Sequence, residues 1–114
     1  KRKIGSDAET YAVELLRKKG YKIITRNYFT PFSEIDIIAI KDKILFLIEV
    51  KARWGTKFGK PEEAVNKNKI NKIKKAGELF LLQNTKLPRS VRILVVSLLF
   101  ENKTLVSEKI IEVY

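Results

Sequence analysis

The sequence predicts an α/β fold: one mixed β-sheet with helices packed on it, in the order α-β-β-β-α-β-β. Three observations carry that prediction. An amphipathic helical stretch opens the chain, three β-rich runs follow, and a second long helical stretch separates them from a last pair of strands. With 45% apolar residues the chain can bury a core, and its 114 residues suit a single domain spanning 1–114.

The first helix is predicted from Ser6-Asp7-Ala8-Glu9, which has the spacing of a capping box with Ser6 as N-cap and Glu9 at the third helical position. Ala8, Tyr11, Ala12, Leu15 and Leu16 then recur at helical spacing on one face. Gly20 supplies the stop, behind Arg17, Lys18 and Lys19, which suit the negative end of the helix dipole. Tyr21 to Tyr28 is a first strand, and Thr30-Pro31-Phe32-Ser33 a loop. Glu34 to Ile40 and Ile44 to Lys51 form a hairpin across Lys41-Asp42-Lys43, although Asp42-Lys43 is not the favoured Asn-Gly or Asp-Gly pair. Arg53 to Lys60 is expected to be a loop.

Pro61, with Glu62 and Glu63 beside it, is expected to start a second helix running to about Leu82. Its inner face would be Val65, Lys69, Ile73, Ala76 and Phe80, an unusual place for a lysine. Asn84 to Ser90 is a loop. Val91 to Phe100 is apolar enough for a central buried strand, and Thr104 to Tyr114 is a last one.

Composition narrows the chemistry. There is no cysteine and no histidine, so disulfides, zinc-thiolate sites and the usual general base are excluded. Catalysis would have to come from carboxylates, lysines, arginines, hydroxyls or a hard oxygen-bound metal. The net charge of +11 favours a polyanionic partner such as nucleic acid or an anionic membrane surface. No apolar run reaches the ~20 residues of a membrane span, and no signal-peptide pattern opens the chain; the expectation is a cytoplasmic protein with no membrane partner. The charge is uneven: residues 51–92 hold twelve Lys or Arg against three acids, whereas residues 23–50 hold three basic residues against four acids. Of those acids, Asp36 and Glu49 sit among apolar residues, where charge is expensive.

Strand alternation places Glu49 and Lys51 on one face with Leu45 and Leu47, and Ile44, Phe46, Ile48 and Val50 on the other. If the turn is the two residues Asp42-Lys43, Lys41 pairs with Ile44, and the same register sets Asp36 opposite Glu49. Opposed carboxylates destabilise a ladder unless a divalent cation lies between them. Mg²⁺ takes one or two carboxylates, waters and substrate phosphate oxygens, which suits Asp36 and Glu49. A one-residue change in the loop would separate the pair to opposite faces. Lys51 would orient or help deprotonate a water, or neutralise charge on the attacked phosphate. Glu9, at the margin of the first helix's apolar face, is a candidate further carboxylate, and Lys69 a candidate phosphate contact.

Asp36 followed by Glu49-Val50-Lys51 resembles the PD-(D/E)-x-K nuclease superfamily. The resemblance is extended by Glu9 in a first helix, Arg26-Asn27, Glu34-Ile35-Asp36-Ile37-Ile38-Ala39, Ile48-Glu49-Val50-Lys51-Ala52-Arg53, Phe58-Gly59 and Lys69 in a second helix. Together these look like the YraN-like family of small proteins, which are similar to archaeal Holliday junction resolvases. The likeness covers the chain from Glu9 to about Val96. It departs at Ser33, where the family usually has Gly, and at Ser90-Val91-Arg92, where it tends to have Arg-Phe-Asp.

The resemblance implies a restriction-endonuclease-like fold. It implies Asp36 and Glu49 as metal ligands, Lys51 as catalytic lysine and Glu9 as an additional acidic member. The expectation is a Mg²⁺-dependent endonuclease, with Mn²⁺ as a substitute, that hydrolyses DNA phosphodiesters, branched or Holliday-junction structures included. Resolvase relatives work as dimers, which implies a homodimer. Arg26, Arg53, Lys57, Lys60, Lys67 and Lys69 are the candidate nucleic-acid contacts. Two other readings stand beside this one: a non-catalytic nucleic-acid-binding module on the same fold, and a structural role in which the acids are ordinary ion pairs.

Overall fold

The computed structural model describes the backbone of residues 2–55 and 65–114, with side chains for 8–55 and 65–114. Helix α1 spans Arg2–Lys18. Strands β1 (Lys22–Phe29), β2 (Glu34–Lys41) and β3 (Ile44–Trp54) follow, then helix α2 (Lys67–Gln83) and strands β4 (Val91–Glu101) and β5 (Thr104–Glu112). The order is the predicted α-β-β-β-α-β-β. The five strands form one sheet in which spatial order repeats chain order, β1-β2-β3-β4-β5. Strands β3 and β4 run parallel, and the other neighbours are antiparallel. A hairpin cannot join parallel strands, so α2 serves as their crossover.

Alternation sends successive strand residues into two separate cores. On one face Ile37, Ala39, Phe46, Ile48, Leu94 and Val96 pack against Ala12, Val13, Leu15 and Leu16 of α1. On the other, Ile38, Leu45, Leu47, Ile93 and Val95 pack against Ile73, Ala76 and Phe80 of α2. The sheet is therefore buried on both sides along its centre, and each such Leu or Ile side chain contributes roughly 1.5–3 kcal/mol. Among the described residues no helix is long and apolar enough to cross a membrane.

The β2–β3 hairpin has the register that the two-residue turn predicts, from Lys41↔Ile44 through Ile37↔Ile48. Asp42 and Lys43 both take positive φ, 52° and 64°, as a type I′ turn requires. Asn102 and Lys103 repeat that geometry between β4 and β5.

Three boundaries differ from expectation. Helix α1 begins at Arg2, so Ser6 lies inside the helix and is not its N-cap. A Ser-x-x-Glu spacing does not prevent a further turn upstream, and here the helical ladder runs through it. Strand β3 continues through Arg53 to Trp54, paired residue by residue with β4 as far as Phe100, because the parallel partner extends the ladder. Helix α2 begins at Lys67, with Asn66 as N-cap: its Oδ1 accepts the Lys69 N–H at 2.9 Å. The expected start at Pro61-Glu62-Glu63 lies outside the described residues, and Val65 is buried ahead of the helix rather than on its face.

Gly77 sets how closely α2 approaches the sheet. A Cβ there would sit 2.5 Å from Leu47 Cδ1, and Leu47 is fully buried, with no room to swing away. We expect Gly77→Ala to destabilise the protein by about 1–3 kcal/mol, despite alanine's better helix propensity, as a lowered urea midpoint at unchanged slope.

Candidate metal-binding and catalytic site

The ladder between β2 and β3 runs to Ile37↔Ile48. One step further, where Asp36 would face Glu49, a side chain takes the place of a backbone acceptor. Asp36 Oδ2 accepts the backbone N–H of Val50 at 2.8 Å. That bond holds the carboxylate against β3 beside Glu49, and both groups are half-buried. The paired ladder thus stops one step short of the expected Asp36–Glu49 pair; the charge of Glu49 still acts on Asp36, whose carboxylate is turned toward the β3 backbone.

Electrostatics tie four acids and two lysines into one neighbourhood. Asp36 is pushed up to about 7, first by burial and then by the negative charges of Glu49, Glu9 and Glu34; the Val50 hydrogen bond offsets only part of this. Burial raises Glu49 as well, and Glu34 adds to the rise, while Lys69 and then Lys51 draw it down. Lys51 reaches Glu49 from two residues along β3. Lys69 reaches it from the first turns of α2, so the lysine on that helix's inner side faces the acid cluster.

Glu9 comes from the opposite layer. Its Oε1 lies 3.5 Å from Arg26 Nη2, a partly exposed ion pair across α1 and β1, of a kind worth at most about 1 kcal/mol. Because Ser6 is not an N-cap, Glu9 has no capping-box role, and its carboxylate bears on Asp36 instead. Arg26, expected as a nucleic-acid contact, is turned toward Glu9.

The other expected contacts are dispersed. Arg53 shares the face of Glu49 and Lys51 further along β3, and Lys67 is exposed at the first residue of α2. Lys57 and Lys60, with Phe58-Gly59, lie outside the described residues. Glu34 is the site member that the sequence did not single out. It was visible only as a residue on the same strand face as Asp36, and as the first residue of a strand it looks like an ordinary solvated acid.

The donors fit a hard cation. They are all oxygens, and the burial and then the neighbouring negative charges that lift Asp36 to about 7 are a penalty that a divalent charge would offset. Among the described residues no group of three or more His, Cys, Asp or Glu side chains is arranged to hold a metal ion. Two carboxylates with the remaining ligands from water and phosphate is the Mg²⁺ pattern.

The sequence pattern of the family described as Uncharacterised protein family UPF0102 matches residues 8–98, a span that holds Glu9, Asp36, Glu49, Lys51 and Lys69. The chain belongs to this family. UPF0102 is the YraN-like family that the sequence resembles. A UPF0102 protein of Syntrophomonas wolfei is 43% identical over 101 residues, covering 89% of this chain and 88% of the relative. One from Dictyoglomus thermophilum is 42% identical over 92 residues, covering 81% and 76%. A third, from Persephonella marina, is 37% identical over 98 residues, covering 86% and 84%. The UPF0102 match thus spans α1 from Ala8 onward, all of α2, and the strands that position the acid cluster.

Proposed function

We propose that this UPF0102 protein is a divalent-metal-dependent endonuclease acting on DNA phosphodiesters, branched structures such as Holliday junctions included. The observation that carries the reading is the Asp36 carboxylate, docked on Val50 N–H in the half-buried middle of the sheet, with the charge of Glu49 acting on it and those of Lys69 and Lys51 acting on Glu49. A fold that needed only stability would not collect such charges there: replacing a buried ionic group with well-packed apolar residues is often neutral or stabilising.

Asp36 and Glu49 would hold Mg²⁺, or Mn²⁺ in its place. When bound, the ion would supply Lewis-acid polarisation of a phosphoryl oxygen. The Val50 N–H fixes the rotamer of Asp36, so that ligand is positioned before substrate arrives. Lys51, beside Glu49, carries positive charge to the attacked phosphate and a proton-transfer group to the attacking water. Lys69, from the facing helix, would hold a non-bridging oxygen. Glu9, steadied by Arg26, adds negative charge from the α1 side and tightens the demand for a cation. Arg53 and Lys67 would hold the flanking backbone.

The test is a cleavage panel: duplex, flap and four-way DNA with Mg²⁺, with Mn²⁺ and with EDTA. Metal-dependent cleavage of at least one substrate is expected, and none on any of them would sink the enzymatic reading. The exposed lysines of α2 by themselves favour a second reading, a binding module that does not cut. A pure binder would gain no DNA affinity from Mg²⁺ beyond the general effect of salt, and would be indifferent to losing the Asp36 charge.

A further inference from the structure

We infer that the β1–β2 hairpin tip is an aromatic wedge: Phe29 and Phe32 stack on an unpaired nucleobase, so the DNA this site addresses carries a single-stranded or branched segment. The inference rests on the nuclease reading and names its substrate class.

Phe29 is 73% exposed and Phe32 46% exposed, a large apolar area to leave in water on a chain of net charge +11. Thr30 holds the tip rigid. Its Oγ1 donates to the Ser33 carbonyl at 2.7 Å and accepts the N–H groups of Phe32 and Ser33 at 3.1 and 3.0 Å. The turn is thus fixed from within, leaving the two rings free to meet a partner at little entropic cost.

The tip adjoins the acid cluster. Phe29 pairs across the ladder with Glu34, whose charge bears on both Asp36 and Glu49. From the other side Lys75 Nζ lies 5.8 Å from the Phe32 ring centroid. Lys75 ends a row on α2 that begins at Lys69, the lysine acting on Glu49, and passes through Lys72. Residues three apart are surface neighbours on a helix, so the row leads from the acid cluster to Phe32. Interleaved cations and exposed rings are the two elements that bind single-stranded nucleic acid: lysines follow the phosphates, and rings stack on bases whatever their identity.

The test uses the full chain in EDTA, where binding is read without cleavage. Fluorescence anisotropy would compare a flap DNA with the matching fully paired duplex. The wild type is expected to prefer the flap by about tenfold, the size of one base–ring stack. Phe29→Ser/Phe32→Ser should erase that preference while keeping duplex affinity, and Phe29→Tyr/Phe32→Tyr should restore it. Both tip residues are exposed, so thermal unfolding should be unchanged in each variant. Equal wild-type affinity for flap and duplex would overturn the wedge and leave the nuclease reading standing. So would a serine variant that keeps its flap preference but loses self-association by sedimentation velocity, since the tip would then be a contact between copies. Absence of binding to any DNA at low salt would remove both readings, whereas a flap preference without metal-dependent cleavage would remove catalysis alone.

Discussion

Lys51→Ala is expected to lower metal-dependent DNA cleavage by roughly 10²–10⁴-fold, the usual worth of a positioned proton-transfer or charge-stabilising group. DNA affinity should change by no more than a few-fold, because one of many cations is lost. The asymmetry follows from position: Lys51 acts on Glu49 within the cluster, whereas the surface cations of α2 are exposed. Asp36→Asn should be at least as severe for cleavage. It keeps an oxygen able to accept the Val50 N–H, so the strand geometry survives while the charge that would hold the metal is gone. Single-turnover cleavage against anisotropy-measured affinity separates the two effects. A parallel fall in both for Lys51→Ala would make it a binding residue and nothing more.

The same Asp36→Asn change should make the metal-free protein more stable at alkaline pH. Asp36 ordinarily titrates at 3.8, and folding raises it to about 7. The folded chain therefore binds this proton more tightly than the unfolded chain does. Stability from this group is fully present below about pH 3.8, falls as pH climbs toward 7, and is gone above that. The shift corresponds to roughly 2–4 kcal/mol at pH 8. In EDTA at pH 8, Asp36→Asn should raise the unfolding free energy by an amount of that order, and the gain should vanish near pH 4. Saturating Mg²⁺ should stabilise the wild type, by about 2.7 kcal/mol at a hundredfold excess over its dissociation constant, and leave the variant unmoved. Urea melts at the two pH values, with and without Mg²⁺, give all four comparisons. An Asn variant less stable than wild type at pH 8 in EDTA would show that the Asp36 charge is satisfied within the fold.

The sequence disclosed the site where local rules fix geometry. Two apolar runs separated by Lys41-Asp42-Lys43 allow few registers, and the two-residue turn is the one adopted, even with Lys43 at a φ of 64°. Asp36 stood out because it interrupts Ile35-Asp36-Ile37-Ile38, and Lys69 because it sits on the inner side of a helix. What stayed hidden depends on partners remote in sequence. Gly77 looks like a weak helix former, and its reason is Leu47 on another element. Arg26 looks like a free cation until α1 packs and brings Glu9 to it. Pro61-Glu62-Glu63 has the composition of a helix start, yet the described helix takes Asn66 as its cap; either segment satisfies local rules. Glu34, by contrast, bears on Asp36 from two residues along the same strand, and its exposed place at the strand's start is what hid it.

Acidic and basic members of the cluster come from both layers: Glu9 rides on α1, Lys69 on α2, and Asp36 and Glu49 on the two strands between, at the point where their pairing gives out. Beside that interruption the α1-side charge of Glu9 acts on Asp36 and the α2-side charge of Lys69 on Glu49. No fragment that starts after residue 9 or ends before residue 69 can therefore carry the whole cluster. Catalysis would accordingly report on the docking of both helices at once, and its loss on heating or in denaturant should come no later than the release of whichever layer lets go first.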